Sequence, residues 1–219
     1  MEGIMKLKDP GSAITHFIGF AAGIPMMVIL LLYSIHQGAG REQLVCYTIF
    51  MCSMLLLYAA STTYHSLKIS DRVDMVLKKI DHMMIFVLIA GTYTPCCLLY
   101  IGGSTGKILL TVVYALSAIG ILMKALWVTC PKWVSSVIYI SLGWSCIFAF
   151  PQIISSVTPM GFFWLLTGGI LYTVGGVIYA LKFPVFHDRF RYFGTHELFH
   201  VFVLGGSLCH YLFMFQGTI

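Results

Sequence analysis

Residues 131–151 read PKWVSSVIYISLGWSCIFAFP, an apolar run closed at both ends by proline. Its uninterrupted part, 134–150, sits at the short limit of the roughly 17 to 25 residues a helix needs to cross a hydrocarbon core about 30 Å thick. Whether it crosses decides between six and seven passes. On either side lie longer apolar stretches at 106–127 and 159–181, and beyond them others at 12–35, 43–66, 81–101 and 196–215, each cut from the next by polar and turn-forming clusters. The chain has 219 residues, 59% of them hydrophobic and only 10% charged. That balance excludes a soluble globule. The expectation is an all-α protein, one seven-helix membrane domain over residues 1–219.

Charge settles the count. With seven crossings and a cytoplasmic N-terminus, Lys6, Lys8, Lys68, Arg72, Lys78, Lys79, Lys124, Lys132, Lys182, Arg189 and Arg191 fall inside, and Arg41 and Lys107 outside, which accounts for all 13 basic residues. Lys and Arg in short loops set orientation, so the asymmetry predicts N-terminus in, C-terminus out. Without the 134–150 crossing, Lys182, Arg189 and Arg191 would move outside. The net charge of +5 then reflects this bias and contact with anionic lipid headgroups rather than nucleic acid. The first span is too long for a signal sequence and lacks a small-residue cleavage pattern, so it is expected to be retained. The protein is expected to be a multi-pass protein of the cell (inner or plasma) membrane.

The seven cysteines are scattered without a C-x-x-C pair and read as small packing residues. Gly168, Gly169, Gly175 and Gly176 repeat at i and i+7 and mark a helix face of close approach. Pro95 is expected to bend the third span.

Ionisable side chains at membrane depth are costly and normally face a bundle interior. Near the end of the second span, Ser61 and His65 lie four residues apart on one helical face. The third span opens with Asp81-His82, and the seventh with His196-Glu197-Leu198-Phe199-His200. Because the spans alternate in direction, these three ends meet the same, cytoplasmic, face. His196 and His200 differ in depth by about 6 Å, within reach of one cation. A third imidazole from His65 would complete an open three-histidine set that leaves a fourth position for water, whose pKa a metal can lower to about 7. Asp81 is then a candidate to accept that water's proton or to orient a histidine. Ser61 is a candidate hydrogen-bond donor to a metal-bound group or a substrate carbonyl.

Plainer alternatives exist for several of these residues. Intramembrane histidines also bond helix to helix, and Asp81 has a second reading as the N-cap of the third helix. His82 lies about 100° round from Asp81 and is expected to face elsewhere. His16 is on the correct face but has no companion at i+4, and His210 lies too far along the seventh span to share the site. His196 to His200 is also the H-E-x-x-H of zinc proteases, with Glu197 as base. No Asp or Glu follows position 197 to supply a third ligand, which weakens that reading.

At these residues the sequence resembles the hemolysin III branch of the progestin and adipoQ receptor family, within a wider group of membrane hydrolases that includes alkaline ceramidases. The likeness runs across nearly the whole chain. It rests on Asp9-Pro10 through Thr15-His16, Ser61-x-x-x-His65, Ile80-Asp81-His82, Ala90 to Pro95, and His196 to Phe202 followed by Gly205, Ser207, His210 and Tyr211. The resemblance implies seven helices with a cytoplasmic N-terminus and a zinc held by His65, His196 and His200, with Asp81 beside the zinc-bound water and Ser61 in the same cavity. Relatives often carry Glu and Asn where this chain has Asp9 and Ser12, which leaves that segment's role open. The long N-terminal domain of the animal receptors is absent, so no extracellular protein hormone is expected as partner.

Three functions follow as expectations. The first is a zinc-dependent hydrolase of lipid amides or esters, with membrane lipid entering sideways from the inner leaflet. The second is a membrane-perturbing, cytolytic activity. The third is a membrane sensor or transporter in which the metal is structural.

Overall fold

The computed structural model describes residues 7–181 and 192–216. Lys6, Lys182, Arg189 and Arg191 lie outside the described residues. Among those described the chain is all helix: α1 (Pro10–His36), α2 (Arg41–Ser66), α3 (Asp71–Pro95) with a π-helical extension (Cys96–Ile101), and α4 (Gly103–Leu126). There follow α5 (Lys132–Gly143), a 3₁₀ segment (Trp144–Ala149), α6 (Phe150–Ser156), α7 (Pro159–Leu181) and α8 (Thr195–Gln216). Grouped by continuity they make seven helical units long and apolar enough to cross a membrane.

The fifth unit is longer than the sequence suggests, Lys132–Ser156 rather than 134–150. Pro151 does not end it, because the proline occupies the first turn of α6, where a missing N–H costs no intrahelical bond. The helix is broken instead at Gly143, and a break inside a membrane demands partners for the freed backbone groups. The Tyr93 hydroxyl supplies them. It donates to the Gly143 carbonyl at 2.7 Å and accepts from the Cys146 N–H at 2.8 Å, tying α3 to the fifth unit.

The third unit also starts earlier than expected. Ser70 caps α3 by accepting from the Val73 N–H at 3.3 Å, with Asp71 and Asp74 in the first turn where the helix dipole favours acid. Asp81 therefore lies three turns into the helix and is not its N-cap. At the other end Pro95 has no N–H to give Gly91, and the hydrogen-bond ladder changes from α to π.

Close packing follows the glycines. A Cβ at Gly168 would strike the His210 ring at 2.4 Å and one at Gly175 the Phe202 Cβ at 2.8 Å, so this pair admits α8. Gly169 and Gly176 instead face Trp144 and Ile140 of the fifth unit. The expected single stripe is thus two adjacent ones, each serving a different neighbour. Gly120 is the tightest seat against an aromatic ring, where a Cβ would lie 2.2 Å from Cε1 of Phe86, itself fully buried. Gly120→Ala is expected to cost about 1–3 kcal/mol by overpacking, read as a fall of several degrees in the thermal midpoint of the purified protein.

The alternating helices bring the start of α1, the end of α2, the start of α3 and the start of α8 to one end of the bundle. Lys8, Lys68, Arg72, Lys78, Lys79, Lys124 and Lys132 collect there, with Arg41 and Lys107 at the opposite end.

Candidate metal centre

His65 comes from the last turn of α2, His196 and His200 from the first two turns of α8. His65 is more than 130 residues from the other two in sequence, yet the ligand atoms of all three lie within 4.8 Å of one another. His65 and His200 are buried, at 4% and 2% exposure. The closest approach is His65 Nε2 to His196 Nε2, 3.2 Å. Two imidazoles on one tetrahedral zinc, with bonds of about 2.0–2.1 Å, stand about 3.3 Å apart.

Hydrogen bonds at the back of the rings aim these nitrogens. His65 Nδ1 lies 3.0 Å from Asp9 Oδ2, and a carboxylate there accepts from Nδ1–H, which keeps the proton on Nδ1 and leaves Nε2 as a lone pair. His200 Nδ1 lies 3.0 Å from Thr15 Oγ1. That hydroxyl already donates to the Ser12 carbonyl at 2.9 Å, so it accepts from His200 Nδ1–H and again frees Nε2. The pattern, imidazole plus a partner that fixes its tautomer, belongs to metal-ligating histidines. A buried three-histidine cage that could hold a metal ion is therefore present.

Asp9 is itself held in place. Its N–H bonds the His65 carbonyl at 2.9 Å. The preceding Lys8 pairs with Asp74 at 2.5 Å and lies 3.6 Å over the Tyr64 ring. Burial works against the Lys8 charge, but the Asp74 and Tyr64 contacts outweigh it and raise its pKa. The entry segment, whose role the resemblance left open, thus orients one histidine through Asp9 and another through Thr15.

Asp81 and Ser61 do converge on the same place. With His16, His82, His196 and His200 they line one end of a cavity of about 150 Å³. Asp81 is 8% exposed and Ser61 fully buried. Ser61 Oγ lies beside the Asp81 carboxyl without closing a hydrogen bond of ordinary geometry. Away from the histidines the walls become apolar and aromatic, with Leu88, Tyr93, Trp144 and Val203. A further cavity of about 60 Å³ shares Thr92, Tyr93, Trp144 and His210 with the first. The two adjoin as a mostly apolar chamber, with Asp81, His82, His196 and His200 grouped in the first cavity and His210 where the two meet.

Four neighbouring residues differ from, or sharpen, the sequence reading. His82 does line the cavity, although its Nδ1–H is given to the Lys78 carbonyl at 2.9 Å. His210 lies deeper and donates from Nε2 to the Leu165 carbonyl at 3.3 Å, outside the three-histidine set. Glu197 caps its own helix, with Oε2 accepting from the Gly194 N–H at 2.8 Å and Oε1 from the Ser12 hydroxyl. Both carboxylate oxygens are thus engaged away from the histidines, and the protease pattern is a helix cap. His16 is the residue most underrated by sequence. It is 3% exposed, stacked on His200 with centroids 3.6 Å apart, and neither ring nitrogen has a protein partner. The spacing of Asp9, Ser12 and His16, at i, i+3 and i+7, was the available signal, since it places all three on one helix face.

Comparison with known proteins agrees with this architecture. The model of the family described as "Haemolysin-III related" matches residues 5–211. A protein of Bacillus subtilis (strain 168) called "Hemolysin-3 homolog" is 41% identical over 200 residues, covering 91% of this chain and 89% of its own. "Hemolysin-3" of Bacillus cereus is 37% identical, covering 91% and 87%. More distantly, the "Adiponectin receptor protein" of Drosophila melanogaster is 26% identical, covering 93% of this chain and 49% of its own.

Proposed function

This chain belongs to the haemolysin-III related family, and from that membership and its histidine cage we propose that it is a zinc-dependent hydrolase of lipid amides or esters. The observation that carries the proposal is the join of a three-histidine set, two of whose rings have their tautomer fixed from behind, to a mostly apolar chamber. One end suits a polarised carbonyl, the other a hydrocarbon chain. A zinc bound there would supply Lewis acidity and lower the pKa of water.

The protein's own residues do the rest. Asp9 and Thr15 hold the His65 and His200 rings so that their Nε2 atoms face inward. Asp81 takes the proton of the attacking water at its carboxylate and returns it to the leaving amine or alcohol. Ser61 donates a hydrogen bond to the carbonyl oxygen as charge develops on it. The apolar walls hold the chain and keep bulk water from the reacting carbon. On the charge asymmetry, the site lies at the cytoplasmic face, its N-terminus inside, and lipid enters from the inner leaflet.

The test is turnover of a panel of lipid amides and esters by purified protein of known zinc content, with and without a chelator. Loss of turnover on chelation and recovery on adding zinc back is expected. Full zinc occupancy with no turnover of any lipid amide or ester would overturn the proposal. In that case, chelation that lowers the thermal midpoint would point to a structural metal. The names of the Bacillus relatives favour a second reading, cytolysis; red-cell lysis that survives loss of all three histidines would establish it over the enzyme.

A further inference from the structure

Lys124 ends the fourth unit and counts among the basic residues expected at the membrane surface, yet its side chain is fully buried. A buried ammonium is costly unless something carries the balancing charge. Among the described residues the ion pairs are Lys8 with Asp74, His65 with Asp9 and His82 with Asp81, so none of the described carboxylates is paired with Lys124. Its partners are Cys130 Sγ at 3.1 Å and Ser135 Oγ at 2.5 Å, and these two lie 3.2 Å from each other. From this triangle we propose that Cys130 is held as a thiolate ion-paired to Lys124, a second reactive centre open to small electrophiles and peroxides.

Hydrogen-bond accounting favours the thiolate. With sulfur ionised, Nζ donates to both Sγ and Oγ, the Ser135 hydroxyl donates to Sγ, and each contact has one donor and one acceptor. With a neutral thiol, the same two donors meet a sulfur that is only a weak acceptor, and its S–H has no free acceptor in the triangle. The surroundings agree. Burial alone would raise the thiol's pKa, but the hydrogen bonds from Ser135 and Lys124 and the lysine's charge together bring it below the ordinary range. Among the described residues the phenols of Tyr139 on α5 and Tyr179 on α7 also reach Cys130, and phenols are uncharged near neutral pH.

Cys130 is itself only 7% exposed, so small reagents alone can reach it, through the exposed loop that carries it. Trp127 and Trp133 flank it at 50% and 61% exposure, as interfacial tryptophans do at headgroup level, and Thr129 and Pro131 are exposed on either side. With hydrogen peroxide, a sulfur electron pair attacks one oxygen and the O–O bond breaks. Sulfur is oxidised by two electrons to sulfenic acid, and the departing hydroxide takes a proton from solvent to leave as water.

The test is alkylation of the purified full-length protein by iodoacetamide across pH 6–10, read at each cysteine by mass spectrometry, followed by dimedone trapping after peroxide. The wild-type rate at Cys130 is expected to have its midpoint below the ordinary thiol value of about 8.5. In Lys124→Met, burial without the cation moves that midpoint up by about one pH unit or more, a tenfold loss of rate on the acid side. Ser135→Ala is expected to fall between the two. Dimedone should mark Cys130 in wild type at peroxide levels that leave Lys124→Met unmarked. An ordinary or raised midpoint in the wild-type protein overturns the proposal whether or not either variant folds, and so does an unshifted midpoint in folded Lys124→Met.

Discussion

Zinc bound one-to-one by the wild-type protein is expected to be lost when any one of His65, His196 and His200 is replaced by alanine, and to stay when Asp81 is replaced by asparagine. On the proposed chemistry all four variants lose turnover. The histidine variants lose it because two imidazoles cannot hold the ion in competition with water. Asp81→Asn loses it because an amide cannot accept the proton, a fall of about 10²–10⁴-fold. Elemental analysis of the purified variants, paired with lipid turnover, separates ligands from base. Asp81→Asn that also empties of zinc would make Asp81 part of the metal's binding set rather than the acid and base of the reaction. Asp81→Asn with full zinc and unimpaired turnover would remove it from the chemistry. The geometry makes the outcome sharp, since the three imidazoles meet within 4.8 Å, while Asp81 lines the chamber from α3, the helix that contributes no histidine to the set.

How much of this was legible before folding depends on what kind of force carried it. Hydrophobic length is a property of composition over about 20 residues, so all seven units could be read directly, and the charge asymmetry was needed only to keep the fifth. Helix alternation then delivered His65, His196 and His200 to one end, because the direction of each span follows from counting. Boundaries were less legible. α3 begins at Asp71, outside the apolar window, since its first turns are set by a serine cap and two acids rather than by hydrophobicity. The break at Gly143 was hidden because its rescue comes from Tyr93, about fifty residues away.

The site shows the same division. Ligand pairs at i and i+4 on one helix announce themselves, but partners that steady a ligand need not share its helix. Thr15 meets His200 at a separation of 185 residues, and Asp9 meets His65 at 56. His16 was passed over for want of a companion at i+4, and its companion proved to be His200 on a different helix. Lys124 was assigned to the surface by the same charge rule that fixed the number of crossings. That rule sees only which end a lysine is on, and cannot see that a thiol and a hydroxyl wait there for its ammonium.

Those hidden partners carry the last large effect. Asp9→Ala removes the acceptor that keeps the proton on Nδ1 of His65, so the ring can turn or present the wrong tautomer. Metal affinity is expected to fall by about 10–100-fold, as for other groups that hold a metal-binding histidine from behind. Thr15→Val should act alike through His200. Asp9→Asn, whose amide oxygen still accepts, should fall between wild type and Asp9→Ala. Competition against a chromophoric zinc chelator measures this directly, without recourse to activity. A control separates orientation from mere docking of the entry segment: Lys8→Met removes the neighbouring pair with Asp74, which is partly solvated and worth under about 1 kcal/mol, and should leave affinity near wild type. If Lys8→Met weakens zinc as much as Asp9→Ala does, the segment acts by clamping α1 against α2 and not through the carboxylate. If neither changes affinity, the hydrogen bond from His65 to Asp9 does not govern the cage, and His65 is held by its burial against Tyr64, His196 and His200.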